Sequence, residues 1–267
     1  MTTNYVHGYS PREGERLVDQ ATTLTELLHG DTVYPPGCRV LEAGCGVGAQ
    51  TVTLVRNNPQ AEFVSIDVST ASLAAAESAV RRQGAAKVVF QQADIFELPF
   101  GDAAFDHIFV CFVLEHLRQP AEALRRLQRV LKPGGTITVI EGDHGSAYFH
   151  PDSVAARRAI ECQVELQRRG GGDALIGRRL YPLLSEAGYR EVRVSPRMVY
   201  ADGGRPALQD GFTRKTFTAM VDGVTVPAVA QGLIGREAFA EGVRDLHRAA
   251  EPDGVFCYTF FKAVGLR

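Results

Sequence analysis

Three things are scarce in this chain, and each scarcity narrows what it does. There is no excess of charge: 29 Lys and Arg stand against 31 Asp and Glu, a net charge of −2. A nucleic-acid partner needs a basic face, so none is expected. There is no long apolar run, and residues 1–15, MTTNYVHGYSPREGE, lack the apolar core of a signal peptide. No membrane partner is expected, and the cytoplasm is the expected location. Cysteines are few: Cys38, Cys45, Cys111, Cys162 and Cys257, an odd number with no two at metal-ligand spacing. That pattern predicts free thiols in a reducing compartment and no bound metal.

What is present is ordinary for a soluble α/β protein. The 267 residues are 45% hydrophobic and 22% charged, enough for one large domain with a small lid or cap. Apolar spacing at Leu17, Ala21, Leu24 and Leu28 predicts a helix over Glu13–Leu28, stopped at Tyr34-Pro35-Pro36-Gly37. From Cys38 the pattern alternates. Strands are predicted at 39–42, 62–67, 87–91, 105–112 and 136–141, with helices at 51–58, 69–83 and 120–131. Lys132-Pro133-Gly134-Gly135 reads as the turn closing the last of these helices. Later helices are expected at 154–168 and 176–186, a short β segment at 190–195, no strand over 196–250, and a final strand at 255–264. Strands alternating with helices predict a Rossmann-like α/β fold with a mostly parallel sheet of seven strands and helices on both faces. The organisation expected is an N-terminal helical lid over 1–37 and one domain over 38–267, whose substrate cap spans about 196–250.

The strongest motif is Glu42-Ala43-Gly44-Cys45-Gly46-Val47-Gly48, directly after the first strand. A glycine turn lets backbone approach a ligand where a side chain would clash, at the carboxyl edge of the sheet. Dinucleotide enzymes use a related turn. Here the spacing is Gly-x-Gly-x-Gly, and Glu42 would repel a pyrophosphate at the helix N-terminus. An NAD-dependent oxidoreductase is therefore the disfavoured alternative, and a cofactor-binding module without activity is the alternative outside enzymes. Asp94, after the third strand, adds an acid at the same edge.

Taken together, VLEAGCGVG (40–48), Asp67 ending the second strand, Asp94-Ile95, FDHIFVCFVLEH (105–116) and LKPGG (131–135) resemble the class I S-adenosylmethionine-dependent methyltransferases. The resemblance runs from about residue 38 to 142, with a weaker echo in GYREVRV (188–194). It implies S-adenosyl-L-methionine as cofactor and S-adenosyl-L-homocysteine as product. It implies that Glu42, Gly44, Gly46 and Gly48 form the cradle and that Asp67, with Val68 beside it, accepts from both ribose hydroxyls. It further implies that Asp94 accepts from the adenine amino group, that Ile95 packs on the ring, and that Val110 lies beneath the cofactor.

Methyl transfer from a sulfonium needs alignment of nucleophile and methyl group and exclusion of water. A base is needed only if the acceptor loses a proton. Candidates at strand ends are Glu115 and His116 after the fourth strand, and Glu141, Asp143 and His144 after the fifth. His116 and His144 suit proton removal near neutral pH, or help pack their loops. Tyr9, with Tyr5 and His7, comes from the expected lid. The whole chain resembles bacterial small-molecule methyltransferases of quinone biosynthesis and natural-product tailoring. Segments 5–20 and 141–151 resemble tailoring enzymes that methylate an indole carbon in tryptophan-derived metabolites. The partner expected is a small-molecule acceptor, with quinone or other O- or N-methylation as the alternative, on a monomer or homodimer.

Overall fold

In the computed structural model the described residues are 16, 20, 23–83 and 88–267. Strands β1 (Arg39–Ala43), β2 (Glu62–Asp67), β3 (Val88–Gln92), β4 (Phe105–Cys111) and β5 (Leu131–Gly142) precede β6 (Tyr148–His150), β7 (Arg190–Asp202) and β8 (Val255–Leu266). A helix over residues 23–29 is α1. It is followed by α2 (Ala49–Asn57), α3 (Thr70–Arg82), α4 (Pro120–Val130), α5 (Val154–Gly170) and α6 (Leu180–Glu186). The sheet order is β3-β2-β1-β4-β5-β8-β6, with β7 also paired to β8.

The chain divides into two compact units. One comprises Thr25–Glu141, Ile176–Arg197 and Phe261–Arg267. Within it β1 to β4 pair in parallel, and β4 pairs in parallel with β5. Arg267 exchanges backbone hydrogen bonds with Gly134 and Gly135, and Gly265 lies against Ile137. Those two contacts fix β8 as antiparallel to β5. The core is apolar on both sides of the central strands: Leu41, Ile66, Ile108, Val110 and Val139 pack with Leu124, Leu127, Leu180 and Leu184 from α4 and α6. Burying each such side chain is worth ~1.5–3 kcal/mol. The arginines of α4 lie on its wet side, where Arg125 and Arg126 pair with Glu122.

The other unit gathers Gly142–Leu175, Met198–Phe260 and the described residues up to Leu24. Its core is aromatic. Phe212 and Phe217 pack with Phe256, Tyr258 and Phe260 at centroid distances of 4.7 to 6.5 Å. A π-helical stretch, Gln209–Thr218, carries two of these rings. A final helix, α7 (Arg236–Arg248), packs on α5, and Ser153 donates to Asp245 at 2.5 Å.

Four local expectations are corrected. The sheet has eight strands among the described residues, not seven. The extra one, β6, pairs antiparallel with β8 through Tyr148↔Cys257 to His150↔Val255 and is too short to show a period. LKPGG belongs to β5: Leu131 already pairs with Phe105, and a bulge absorbs the glycines before His107↔Thr136. β7 continues through Pro196 to Asp202, with Val199 and Ala201 buried and Met198 and Tyr200 exposed. Among the described residues its one partner is β8, and an edge strand tolerates proline. Residues 176–179 form a 3₁₀ turn, with α6 starting at Leu180. All five cysteines are free. Among the described residues no helix is long and apolar enough to cross a membrane.

Candidate active site

The register sets the site. Ala43 pairs with Ile66 on one side and Val110 on the other, and Asp67 pairs with Gln92. The ends of β3, β2, β1 and β4 therefore lie side by side. Asp94, Asp67, the glycine turn and the turn after β4 share one edge of the same unit.

Gly44, Gly46 and Gly48 all adopt positive φ, at 81°, 51° and 80°. Gly44 is in tight contact: a Cβ there would lie 2.5 Å from Val113 Cγ2. Gly46 is open: a Cβ there would meet nothing within 4 Å. Gly48 caps α2, and Val52 N–H donates to its carbonyl at 3.1 Å. Asp67 holds the turn open from below. One carboxylate oxygen accepts from Gly46 N–H and the other from Ser69 N–H, both at 2.9 Å. Each oxygen keeps acceptor capacity for a further donor. Val68 beside it is 47% exposed. Asp94 caps a short 3₁₀ turn, accepting from Phe96 N–H at 2.9 Å, and Ile95 is buried. An open glycine and two partly satisfied carboxylates on neighbouring strand ends fit an adenosyl group with a ribose diol.

Two expected cofactor residues sit deeper. The Val110 side chain is fully enclosed in the apolar core. The Glu42 carboxyl is buried, and its Oε2 accepts from Thr51 at 2.8 Å and Ser65 at 2.7 Å. Burial, outweighing those two donors, pushes its pKa up to about 7. Glu42 thus ties β1 to β2 and α2 beneath the turn. An acid whose folded pKa lies above its unfolded value stabilises most at low pH, and that advantage fades as pH rises from about 4.5 to 7. Glu42→Gln is therefore expected to gain stability over wild type across that window, by up to about 3 kcal/mol. Urea melts at pH 4.5 and 8 check it; equal differences at both would refute it.

The turn after β4 carries Glu115 and His116, both largely buried, with Glu115 Oε1 3.5 Å from His116 Nε2. Phe112 enters the turn at φ 57°, an unusual conformation for a non-glycine residue, and its N–H donates to Ile140 O at 2.9 Å. Glu141 Oε1 accepts from Val113 N–H at 3.0 Å and Leu114 N–H at 2.7 Å. His144 lies in the other unit, buried among aromatic rings, with Nδ1 2.7 Å from Tyr258 Oη. Tyr9, Tyr5 and His7 lie outside the described residues. Sequence reasoning missed Thr51, Ser65 and Tyr258 as partners. Ser65 alone left a trace, as a polar residue inside the apolar strand FVSID.

A Rossmann-like sheet with this edge defines the class I methyltransferase fold. The chain belongs to the family described as the methyltransferase domain, matched over residues 35–188, and the cofactor its edge would hold is S-adenosylmethionine. It is 31% identical over 144 residues to a 27-O-demethylrifamycin SV methyltransferase of Amycolatopsis mediterranei, covering 51% of this chain and 50% of that protein. It is 34% identical over 165 residues to the O-methyltransferase cnsE of Penicillium expansum, covering 60% and 59%. Among solved structures, a Haemonchus contortus phosphoethanolamine N-methyltransferase 2 holding S-adenosylhomocysteine aligns over 93% of this chain and 52% of that one. Its TM-score is 0.58, and its identity of 15% makes it a likeness of fold. The chain spans about half the length, or less, of the first curated relatives it matches.

Proposed function

We propose that the protein transfers a methyl group from S-adenosylmethionine to a small-molecule acceptor. The observation that carries this is the single edge holding an open Gly46 between Asp67 and the turn of Glu115 and His116. When bound, S-adenosylmethionine supplies a methyl group on a sulfonium, poised for in-line displacement. In this reading Gly44, Gly46 and Gly48 let the backbone approach, Asp67 takes the ribose hydroxyls, and Asp94 and Ile95 take the adenine. Residues 1–37, with Tyr9, form a lid that excludes water, and about 196–250 form the cap that selects the acceptor. The cytoplasm is the location in this reading, and the assembly is a monomer or homodimer.

For the acceptor, the finer reading is a neutral aromatic molecule such as an indole methylated at carbon. Such a ring is already nucleophilic, and Glu115 would hold its N–H. The names of two relatives favour oxygen as the methylated atom, and there a group must take a proton: Glu115, His116 or His144. Incubation with S-adenosylmethionine and a panel of indoles, phenols and quinols, followed by mass spectrometry for a gain of about one CH₂, is expected to identify a product. No product from any of them would count against this acceptor class. With an acceptor identified, Glu115→Ala, His116→Ala and His144→Ala separate the roles. Loss of the base is expected to lower turnover ~10²–10⁴-fold with cofactor affinity nearly intact. In the wild-type enzyme the rate should fall as pH drops through the pKa of that group. Wild-type turnover in all three variants between about pH 6 and 9 would leave alignment alone as the source of catalysis.

A further inference from the structure

Glu141 lies one residue before the end of β5. It is fully buried. One carboxyl oxygen is engaged by two backbone N–H groups, from Val113 and Leu114. The other, also buried, has no hydrogen-bond partner among the described residues. The segment it grips begins at Phe112 with positive φ, and Val113 is the residue against which Gly44 packs. One side chain thus links the end of β5, the turn bearing Glu115 and His116, and the tight side of the glycine turn.

The charges around Glu141 do not favour an anion there. Glu115 lies on the turn it grips and raises its proton affinity, adding to the larger effect of burial. His116 sits on the same turn. Cys111 ends β4, and Glu42 lies one residue before the end of β1. The lysine of this neighbourhood, Lys262 on β8, is engaged by Asp31, Thr32 and the Leu28 carbonyl. Along the chain, the Asp143 carboxylate accepts from Gly145 N–H. A carboxyl that is fully buried, has one oxygen without a donor and lies in the field of a second carboxyl is expected to hold its proton.

The geometry points to Glu141 as a positioning residue of the methyl-transfer edge: a neutral carboxylic acid that clamps the turn 113–116 and leaves Glu115 as the ionised member of the pair. The acid keeps its proton on the oxygen that faces no donor, while the other oxygen accepts. The negative charge is then confined to Glu115, whose side chain keeps a small exposed fraction. This rests on the methyltransferase reading above for its purpose, yet its proton inventory is tested without any acceptor.

Glutamine mimics the neutral acid, and alanine removes the clamp. Stability of wild type and Glu141→Gln is followed by urea melts from pH 5 to 8.5. A neutral Glu141 predicts that the Gln variant gains on wild type as pH rises, because the unfolded wild-type chain releases this proton while the folded one keeps it. The gain should shrink in a Glu115→Gln background, where the repelling neighbour is gone. A Gln variant that loses stability relative to wild type as pH rises, or a difference that does not change with pH, overturns the proposal. S-Adenosylhomocysteine titration gives the positioning readout: Glu141→Ala is expected to bind roughly tenfold more weakly, with Glu141→Gln restoring most of that loss. Equal affinities for all three proteins overturn the clamp. Should the Glu141 variants not fold, infrared spectra of Glu42→Gln protein decide. A carboxylic-acid carbonyl band persisting at pH 8 supports a neutral Glu141, and its absence overturns it. Failure of the acceptor panel would count against the acceptor class proposed above and leave this result standing.

Discussion

Asp67→Ala is expected to weaken S-adenosylhomocysteine binding by at least ~10²-fold, the loss of two charge-assisted hydrogen bonds at ~1.5–3 kcal/mol each. The direction is set by what Asp67 does twice over. In the proposed role it would offer both oxygens to a ribose diol, and with the same oxygens it holds Gly46 and Ser69 in place. The alanine variant loses the ligand contact and the shape of the turn together. Its cost to folding is smaller, because both freed N–H groups lie in part-buried surroundings that water can reach. Calorimetric titration, paired with a thermal melt, reads the two separately. A folded variant with unchanged affinity would remove Asp67 from the ribose.

The glycine turn supports a sharper contrast, because two of its glycines are needed for different reasons. At Gly46 an added Cβ meets no protein atom within 4 Å. Gly46→Ala is therefore expected to cost ~1–2 kcal/mol of stability from its left-handed backbone and to lose most cofactor affinity, since the methyl enters ligand space. At Gly44 the same Cβ strikes Val113. Gly44→Ala adds overpacking of ~1–3 kcal/mol to a similar backbone strain and pushes on the turn that Glu141 holds. Melting temperature is expected to fall much further for Gly44→Ala. Binding per folded molecule is expected to collapse for Gly46→Ala. Normal affinity in the Gly46 variant would show that the open face of this turn is not the cofactor cradle.

The parts of this molecule that sequence reveals are those encoded by neighbours along the chain. Strands β1, β2 and β4 announce themselves because burial on both faces leaves continuous apolar runs, and the glycine turn does so because only glycine tolerates its backbone. Asp67 and Asp94 follow from position, each ending or trailing a strand. What was hidden depends on contacts far apart in sequence. Ser65 and Thr51 meet Glu42 across 23 and 9 residues, and His144 meets Tyr258 across 114. The strand β7 runs past the short segment 190–195 expected from the sequence, through Pro196, which a place at the sheet edge tolerates. The π-helical stretch Gln209–Thr218 has no compositional sign distinguishing it from an α-helix. Glu42 looked like a cofactor contact in the motif, and its side chain instead turns inward to knit two strands and a helix.

The five free thiols have a use of their own. Cys38, Cys45, Cys111 and Cys162 are buried and Cys257 is partly so, and desolvation holds every one of them above the ordinary thiol range. Only the thiolate is alkylated, and each unit of upward shift removes about nine-tenths of it. The native chain therefore hides the sulfur of Cys38, Cys45, Cys111 and Cys162 from reagent, while any opened chain displays it. The molecule carries a built-in reporter of its own breathing, in which the order of alkylation along the chain records which segments open first.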